Sequence, residues 1–522
     1  MEITSDKMVK YPVGEQSFER LREEGYLYVD KTRHIEKLIH RGKYYFLGRP
    51  RRFGKSLFLS TLSCFFQAKR HLFKGLYIDS IDWDWTPYPV LYLDLNIKGY
   101  DDPSALRDLL SYTFNRWERE YGIVPESEDL SIRFYNIIRT AYSVTGKGVV
   151  ILVDEYDKPL VNNIHDREKR EAFRSQLFDI YNNFKSCAEY IRLVFLTGIS
   201  RLGKLNVFSG LNNISDISLE NDFAEVCGIT EEELDTIFGE GLQQLAQNEE
   251  MSLEEIRAEL KRQYDGYHFG RNSRDIYNPF SLLNVFDKKE FGNYWIDSGL
   301  PTLIAQELRR MDVDLRTVFE AKCFEEDLKT LDMDSPRPLG LLYQTGYLTI
   351  SSFDRRSRVF SLKIPNEEVK VGFLNYLLPY YANLNGETSS RFSIYEFIRE
   401  FKEGDVEGFM HRLQSMFSAI PYEMEMESER NLQNALLIFI TLIGLDVQAE
   451  YRTSDGRIDL FIKTERFYYI IELKINQSAK DALDQIKEKR YELPFATDDR
   501  KIIKIGVSFS TSKRCITEWL KA

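Results

Sequence analysis

Along roughly the first 225 residues, short apolar runs alternate with stretches in which apolar side chains recur every three to four positions. Lys43–Gly48 (KYYFLG), Val90–Asn96 (VLYLDLN), Gly148–Asp154 (GVVILVD) and Arg192–Gly198 (RLVFLTG) read as strands. Asp102–Tyr121 and Asp166–Lys185 read as helices between them. Strand–helix alternation predicts βαβ units and a parallel sheet. The unbroken apolarity of VVILV and LVFL is what strands covered on both faces require.

From about Thr230 to Met424 helical periodicity dominates, as in Thr230–Phe238 and Ser252–Asp265, with a mixed stretch at Leu341–Ser351 and Val359–Ile364. An acidic run, Glu423–Glu429 (EMEMESE), follows. After it the pattern predicts helix Arg430–Leu442, strands Ile458–Lys463 and Phe467–Ile475, helix Ala479–Tyr491, strand Ile502–Phe509 and helix Ser512–Lys521. Three parts result: 1–225, 226–424 and 425–522.

The 522-residue length supports about three or four domains at ~150 residues each. Hydrophobic residues at 43% and charged residues at 29% fit a globular chain and exclude a disordered one. The longest apolar stretch, Ala435–Leu445, is broken by Thr441 and falls well short of the about 20 residues a spanning helix needs. No apolar signal segment opens the chain. Five scattered cysteines, an odd number without a CxxC pair, fit a reducing cytoplasm. Six histidines, none at HxxxH spacing, argue against a zinc site. The net charge of −12 excludes a chain-wide basic footprint for nucleic acid. Residues 451–522 depart from it, with 15 Lys/Arg against 11 Asp/Glu.

Two constellations carry chemistry. The first is Gly48-Arg-Pro-Arg-Arg-Phe-Gly54-Lys55-Ser56, placed after a predicted strand and opening a helix, the context of a phosphate-binding loop. Backbone N–H groups and the helix N-terminus suit phosphate oxygens. Lys55 is placed for the β- and γ-phosphates, and the Ser56 hydroxyl for Mg²⁺. Gly48, Arg52, Gly54, Lys55, Ser56 and Leu57 form the candidate nucleotide-binding set. The usual spacing puts the first glycine where Arg49 stands, and five residues separate Gly48 from Gly54. About 100 residues on, Val149–Val153 ends in Asp154-Glu155: Asp154 is the candidate Mg²⁺ holder and Glu155 the group that polarises the attacking water. Thr197 or Ser200, after the LVFL strand, is placed to sense the γ-phosphate, and Arg201 to stabilise charge.

The second is Gly456-Arg-Ile-Asp459, twelve residues, then Glu472-Leu-Lys474. Alternation puts Glu472 and Lys474 on one face of a strand, where Asp459 of the neighbouring strand can meet them. Two such carboxylates suit Mg²⁺ or Mn²⁺, and Lys474 suits a water or the charge growing on a phosphate. Glu429 is a further candidate metal ligand, and Gln485 a candidate support for Lys474. The competing reading is a cross-strand ion pair on an exposed face.

Taken together the chain resembles the bacterial AAA-ATPase-like proteins that end in a PD-(D/E)XK nuclease-superfamily domain. The resemblance runs nearly end to end. It is carried by YVDKT (Tyr28–Thr32), RPRRFGKS (Arg49–Ser56), VDEYDKPL (Val153–Leu160), TGISRLGKLNVFSGLNN (Thr197–Asn213), YDGYHF (Tyr264–Phe269), YNPFSLL (Tyr277–Leu283), YQTGYLTI (Tyr343–Ile350), IPNEEV (Ile364–Val369) and GRIDL…IIELK…QIKEKRY in the tail. The resemblance implies an α/β P-loop NTPase of the additional-strand, catalytic-glutamate, AAA-like type: a parallel sheet with flanking helices. A mostly helical middle region, by analogy with related ATPases carrying a winged-helix-like segment, and a restriction-endonuclease-like α/β domain follow it. It implies ATP and Mg²⁺ as cofactors, with Mn²⁺ the alternative at the nuclease site. It also implies nucleic acid, DNA before RNA, as partner, self-association, no membrane and a cytoplasmic location. Lys55, Ser56, Asp154 and Glu155 match its nucleotide motifs; Asp459, Glu472 and Lys474 match its nuclease signature. Such a device suits defence against foreign DNA or mobile-element biology. The alternative is an ATP-dependent switch whose tail binds nucleic acid or a protein without cutting.

Overall fold

The computed structural model describes residues 9–199, 214–295, 321–329, 337–382, 399–418 and 446–522, save 455, 511 and 514, with a few isolated positions between these segments. It divides into two compact units, 1–298 with 321–369, and 299–320 with 370–522. Ser200, Arg201, Glu429, the acidic run and nearly all of the expected helix Arg430–Leu442 lie outside the described residues.

The first unit is built on a parallel sheet of β1 (Tyr44–Gly48), β2 (Val90–Asp94), β3 (Val149–Asp154), β4 (Ile191–Gly198) and β5 (Ser215–Asp216), in the order β2-β3-β4-β1-β5. Every position of β3 is buried, so VVILV is apolar throughout because helices cover both faces. The chain leaves β1, turns through residues 49–54 and enters the helix Lys55–Phe66. Gly54, the residue before that helix, has φ +89°, a conformation that favours glycine. One strand, β4, lies between β1 and β3, so the Lys55 loop and the Asp154-Glu155 pair flank Thr197 at the carboxyl ends of the strands.

Four helices follow, Glu231–Ile237, Gly239–Asn248, Leu253–Tyr264 and Pro279–Lys288. They close a core that includes Leu234, Leu245, Leu260 and Val285. Thr230 with Glu233 and Ser252 with Glu255 form capping boxes that fix two of their starts, each worth about 1 kcal/mol. Beyond them β6 (Lys322–Cys323), β7 (Thr349–Asp354) and β8 (Val359–Lys363) make an antiparallel sheet in the order β6-β8-β7, and helices Glu325–Lys329 and Pro338–Thr345 lie between β6 and β7 in sequence.

The second unit holds a mixed sheet of β9 (Asp446–Thr453), β10 (Gly456–Lys463), β11 (Phe467–Ile475), β12 (Lys501–Ser510) and β13 (Cys515–Lys521), in the order β13-β12-β11-β10-β9. Its parallel pair, β11 and β12, is joined through the helix Ala479–Glu488, as a parallel crossover requires. The expected helix Ser512–Lys521 is instead β13. Ile516, Trp519 and Leu520 carry helical spacing, but pairing with β12 from Ile505↔Lys521 to Ser510↔Cys515 closes what would be an open sheet edge, and that outweighs local propensity. Among the described residues no helix is long and apolar enough to cross a membrane, and the five cysteines are free.

Candidate functional sites

The carboxyl ends of β1, β3 and β4 gather the first site. Lys55 Nζ turns back over its own loop, donating to the carbonyls of Arg49 (2.9 Å) and Pro50 (3.1 Å), and lies 3.4 Å from Glu155 Oε1. Lys55 and Asp154 are buried, and Glu155 is half-buried. The Thr197 hydroxyl donates to Asp154 Oδ1 and sits 3.4 Å from the Glu155 N–H, so it orients both carboxylate-bearing residues from the strand between. Glu155 has φ +53°, uncommon outside glycine, asparagine and aspartate, and this backbone turn sends its carboxylate towards Lys55. Ser56, Asp154 and Asp94 line one polar pocket of about 420 Å³. On the other side of the loop an apolar cavity of about 80 Å³ is lined by Leu27, Val29, Phe53, Gly54, Leu57 and Ile229, among others.

Asp94 was not singled out by the sequence reading. It stands in register with Asp154 across β2 and β3, and burial together with Asp154 and Glu155 pushes its carboxyl above the ordinary range. The signal was present as two strands, VLYLD and VVILVD, ending on the same residue type.

The loop 49–53 shows why the usual first glycine is missing. Arg49 points into the core and is 1% exposed. Its guanidinium donates to the carbonyls of Gly48 and Ser218 (2.8 Å each) and Phe223 (2.9 Å), and lies 4.3 Å from the centre of the Phe269 ring. A Cβ on Gly346 would come within 2.8 Å of Pro50. Arg51 O accepts from Trp295 Nε1 at 3.2 Å. Arg52, at φ +65°, is exposed and stacks 3.9 Å over Phe280. Phe53 meets Tyr267 and Phe269 edge-on. All five side chains or carbonyls of RPRRF are thus held by residues that come after β5. The motifs YDGYHF, YNPFSLL and YQTGYLTI supply most of those partners, which gives them a place that spacing alone did not. In YVDKT, Asp30 holds the Thr32 N–H and hydroxyl and the Tyr77 N–H, while Lys31 pairs with Glu233 at 2.7 Å.

The second site lies on β10, β11 and the helix Ala479–Glu488. Pairing of Leu460 with Ile471 brings Asp459 beside Glu472. Asp459 Oδ2 accepts from the Leu473 N–H at 2.9 Å. A Cβ on Gly506 would meet Ala479 O at 2.3 Å, so this glycine lets the helix settle on β12. That approach brings Gln485 over β11, where it donates to Glu472 Oε1 and accepts from Lys474 Nζ at 2.6 Å. Lys474 Nζ is 3.7 Å from the same carboxylate. Glu472 is 2% exposed, and its second oxygen, Oε2, is buried with no hydrogen-bond partner. Burial and the neighbouring Asp459 raise its carboxyl well above the ordinary range. The exposed-face ion pair is therefore not what this chain builds. A buried carboxylate oxygen without a donor fits a divalent cation, which is the partner such an atom lacks. Asp459 and Glu472 are the carboxylates brought together; among the described residues no group of three or more His, Cys, Asp or Glu gathers in metal-binding fashion, and Glu429 is outside them.

Comparison with known proteins agrees with this division. Residues 12–208 match a family described as "Predicted AAA-ATPase". Residues 427–519 match the PD-(D/E)XK nuclease superfamily. Over 522 residues the chain is 32% identical to "Uncharacterized protein in vnfD 5'region" of Azotobacter chroococcum mcd 1, covering 97% of this chain and 98% of that protein. With the β2-β3-β4-β1-β5 order behind the Lys55 loop and the Asp459–Glu472–Lys474 array on a separate mixed sheet, the chain belongs to the AAA-ATPase-like family whose members carry a C-terminal PD-(D/E)XK nuclease-superfamily domain.

Proposed function

We propose that the chain hydrolyses ATP in its first 225 residues and uses a divalent metal to cut DNA with residues 425–522, the part of the middle region that lies in the first unit acting as a lid on the phosphate-binding loop. At the ATPase site, backbone N–H groups of the 49–56 turn, Lys55 and Ser56 would hold the phosphates. The apolar cavity beside Leu57 takes the base. Asp154, with Asp94 beside it, would hold Mg²⁺, which supplies charge neutralisation on the phosphates. Glu155 orients the attacking water and accepts its proton, and Thr197 fixes the Glu155 backbone and the Asp154 carboxylate. At the second site Asp459 and Glu472 would hold Mg²⁺ or Mn²⁺, which supplies a Lewis acid beside the scissile phosphate. Lys474, aligned by Gln485, stabilises charge there.

The observation that carries the nuclease reading is Glu472 Oε2, a buried carboxyl oxygen left without a hydrogen-bond partner beside Asp459 and Lys474. The test incubates the purified chain with Mg²⁺ or Mn²⁺ and linear, circular or single-stranded DNA, with and without ATP. Lys474→Ala is expected to abolish cutting and Lys55→Ala to abolish phosphate release from ATP. Phosphate release without cutting under any condition would replace this reading by the nucleotide-dependent switch.

A further inference from the structure

The β7–β8 hairpin carries a charge pattern that neither site uses. Its turn, residues 355–358, is Arg355-Arg356-Ser357-Arg358, and all four residues are exposed. Asp354 pins the turn, accepting from the Arg356 N–H (2.8 Å) and the Ser357 hydroxyl (2.7 Å). The base of the hairpin is braced by Phe353 against Phe360, with ring centres 4.5 Å apart, and by Arg271 over Phe353.

The neighbouring basic residues are spoken for. Arg271 and Lys329 pair with Glu325, Arg274 with Glu232, Arg337 with Asp327 and Lys363 with Asp275. Among the described residues no carboxylate lies within ion-pair distance of Arg355, Arg356 or Arg358. In a chain with 82 acidic and 70 basic residues, three arginines within four positions, against the single acid Asp354 that pins their turn, are a concentrated exception. The exposed Lys322 on β6 and the exposed Ser351 and Ser352 on β7 extend the same polar, basic face down the hairpin. The helix before the hairpin, Pro338–Thr345, is buried from Gly340 onward and followed by Gly346 against Pro50. It is not free to enter a groove. The hairpin tip is the part of this sheet that faces outward.

We propose that Arg355, Arg356 and Arg358 grip the phosphate backbone of nucleic acid, so that the hairpin is a sequence-independent holding site separate from the cutting residues. Guanidinium planes match phosphate oxygens in pairs. An acidic chain repels a polyanion everywhere except where positive charge is gathered without partners. The proposal deepens the reading of nucleic acid as substrate and rests on it for the identity of the polyanion. Anionic lipid is the competing polyanion.

The test is the fluorescence anisotropy of a labelled duplex of ~30 base pairs with the full chain, without divalent metal, across a salt series. Replacing all three arginines by alanine is expected to weaken binding at least tenfold at low salt. It should also reduce the slope of log affinity against log salt by about 2.7, three contacts at ~0.9 each. The triple lysine variant should keep most of that slope. Melting midpoint and ATP hydrolysis should stay at wild-type values, since the turn is exposed. An unchanged salt slope, no binding by the wild type, or arginine-dependent binding to phosphatidylserine vesicles in place of DNA would each overturn the proposal. The cutting assay on the wild type separates it from the nuclease reading: arginine-dependent binding by a wild-type chain that never cuts refutes only the nuclease, and cutting with an unaltered slope refutes only the hairpin.

Discussion

Arg49→Gly would bring the loop to the usual glycine spacing of a phosphate-binding turn, and on motif grounds it should be neutral or beneficial. The structure predicts the opposite. The change removes three hydrogen bonds from a charged donor, to the carbonyls of Gly48, Ser218 and Phe223, and the contact with Phe269. Hydrogen bonds to a charged group are worth about 1.5–3 kcal/mol each, so the gross loss is about 4–9 kcal/mol. The desolvation cost of keeping a guanidinium buried, several kcal/mol, offsets part of it; burial is also what lowers the Arg49 pKa. The carbonyls of Gly48 and Ser218 stripped of this donor, with Phe223 O keeping only the Val226 N–H, and a void beside Phe269 leave a net loss of about 3 kcal/mol. At ~2–4 °C per kcal/mol, the first thermal transition should fall by roughly 6–12 °C. Arg49→Lys should fall between, since one ammonium cannot reproduce a fork of donors. Calorimetry reads the transition, and a fluorescent ATP analogue reads the site. An Arg49→Gly protein that melts with the wild type and binds nucleotide as well would refute the argument.

Glu472→Gln should separate stability from chemistry: metal-dependent cutting falls by at least 100-fold while the melting midpoint stays level or rises, because the substitution removes a charge that burial and Asp459 oppose. A lower midpoint in metal-free buffer would refute that account. Asp265, on the YDGYHF motif, is held up at about 6 by burial, against 3.8 in a free side chain. The folded chain therefore binds this proton more tightly than the unfolded one. Its contribution to stability is full below about pH 4 and lost as pH rises to about 6. Urea unfolding of Asp265→Asn against wild type should show a stability difference that moves in the variant's favour between about pH 4 and 6, by up to about 3 kcal/mol over that window, and is flat above; a pH-independent difference would refute it. Because Trp295 Nε1 donates to Arg51 O, nucleotide binding that reshapes the loop should shift tryptophan emission, and Trp295→Phe should abolish the shift.

Four strands of the first sheet were legible because each has a largely apolar run, whereas β5, only Ser215–Asp216, carries no such signal. Val149–Asp154, buried at all positions, has only one way to satisfy both its side chains and its neighbours. The tail shows where legibility ends. Cys515–Lys521 has helical spacing, and only the otherwise unpaired edge of β12, the strand just before it, makes it a strand. β9 is a different case: Val447, Ala449 and Tyr451 alternate with Gln448, Glu450 and Arg452, the period of a strand, and that local signal was passed over.

The sites divide in the same way. That Lys55, Ser56, Asp154, Glu155 and Thr197 gather at one end of the sheet was legible because each follows or closes an apolar strand. Asp459, Glu472 and Lys474 could be found because alternation forces them onto one face. Arg49 could not, since its role is defined by carbonyls at Ser218 and Phe223 and by a ring at Phe269, none of which bears a local signal. Gln485 lay between these cases. Its helix was visible, but its reach to Glu472 depends on Gly506 admitting the helix to within 2.3 Å of a virtual Cβ, a close approach that periodicity does not encode. In both sites, then, the residues that meet the chemistry are written in local pattern, and the residues that hold them in place are written in long-range packing. The departure of RPRRFGKS from glycine spacing is the point where the second text overwrites the first: a loop that we propose binds phosphate on one side has given its other side to the helices and strands that follow β5.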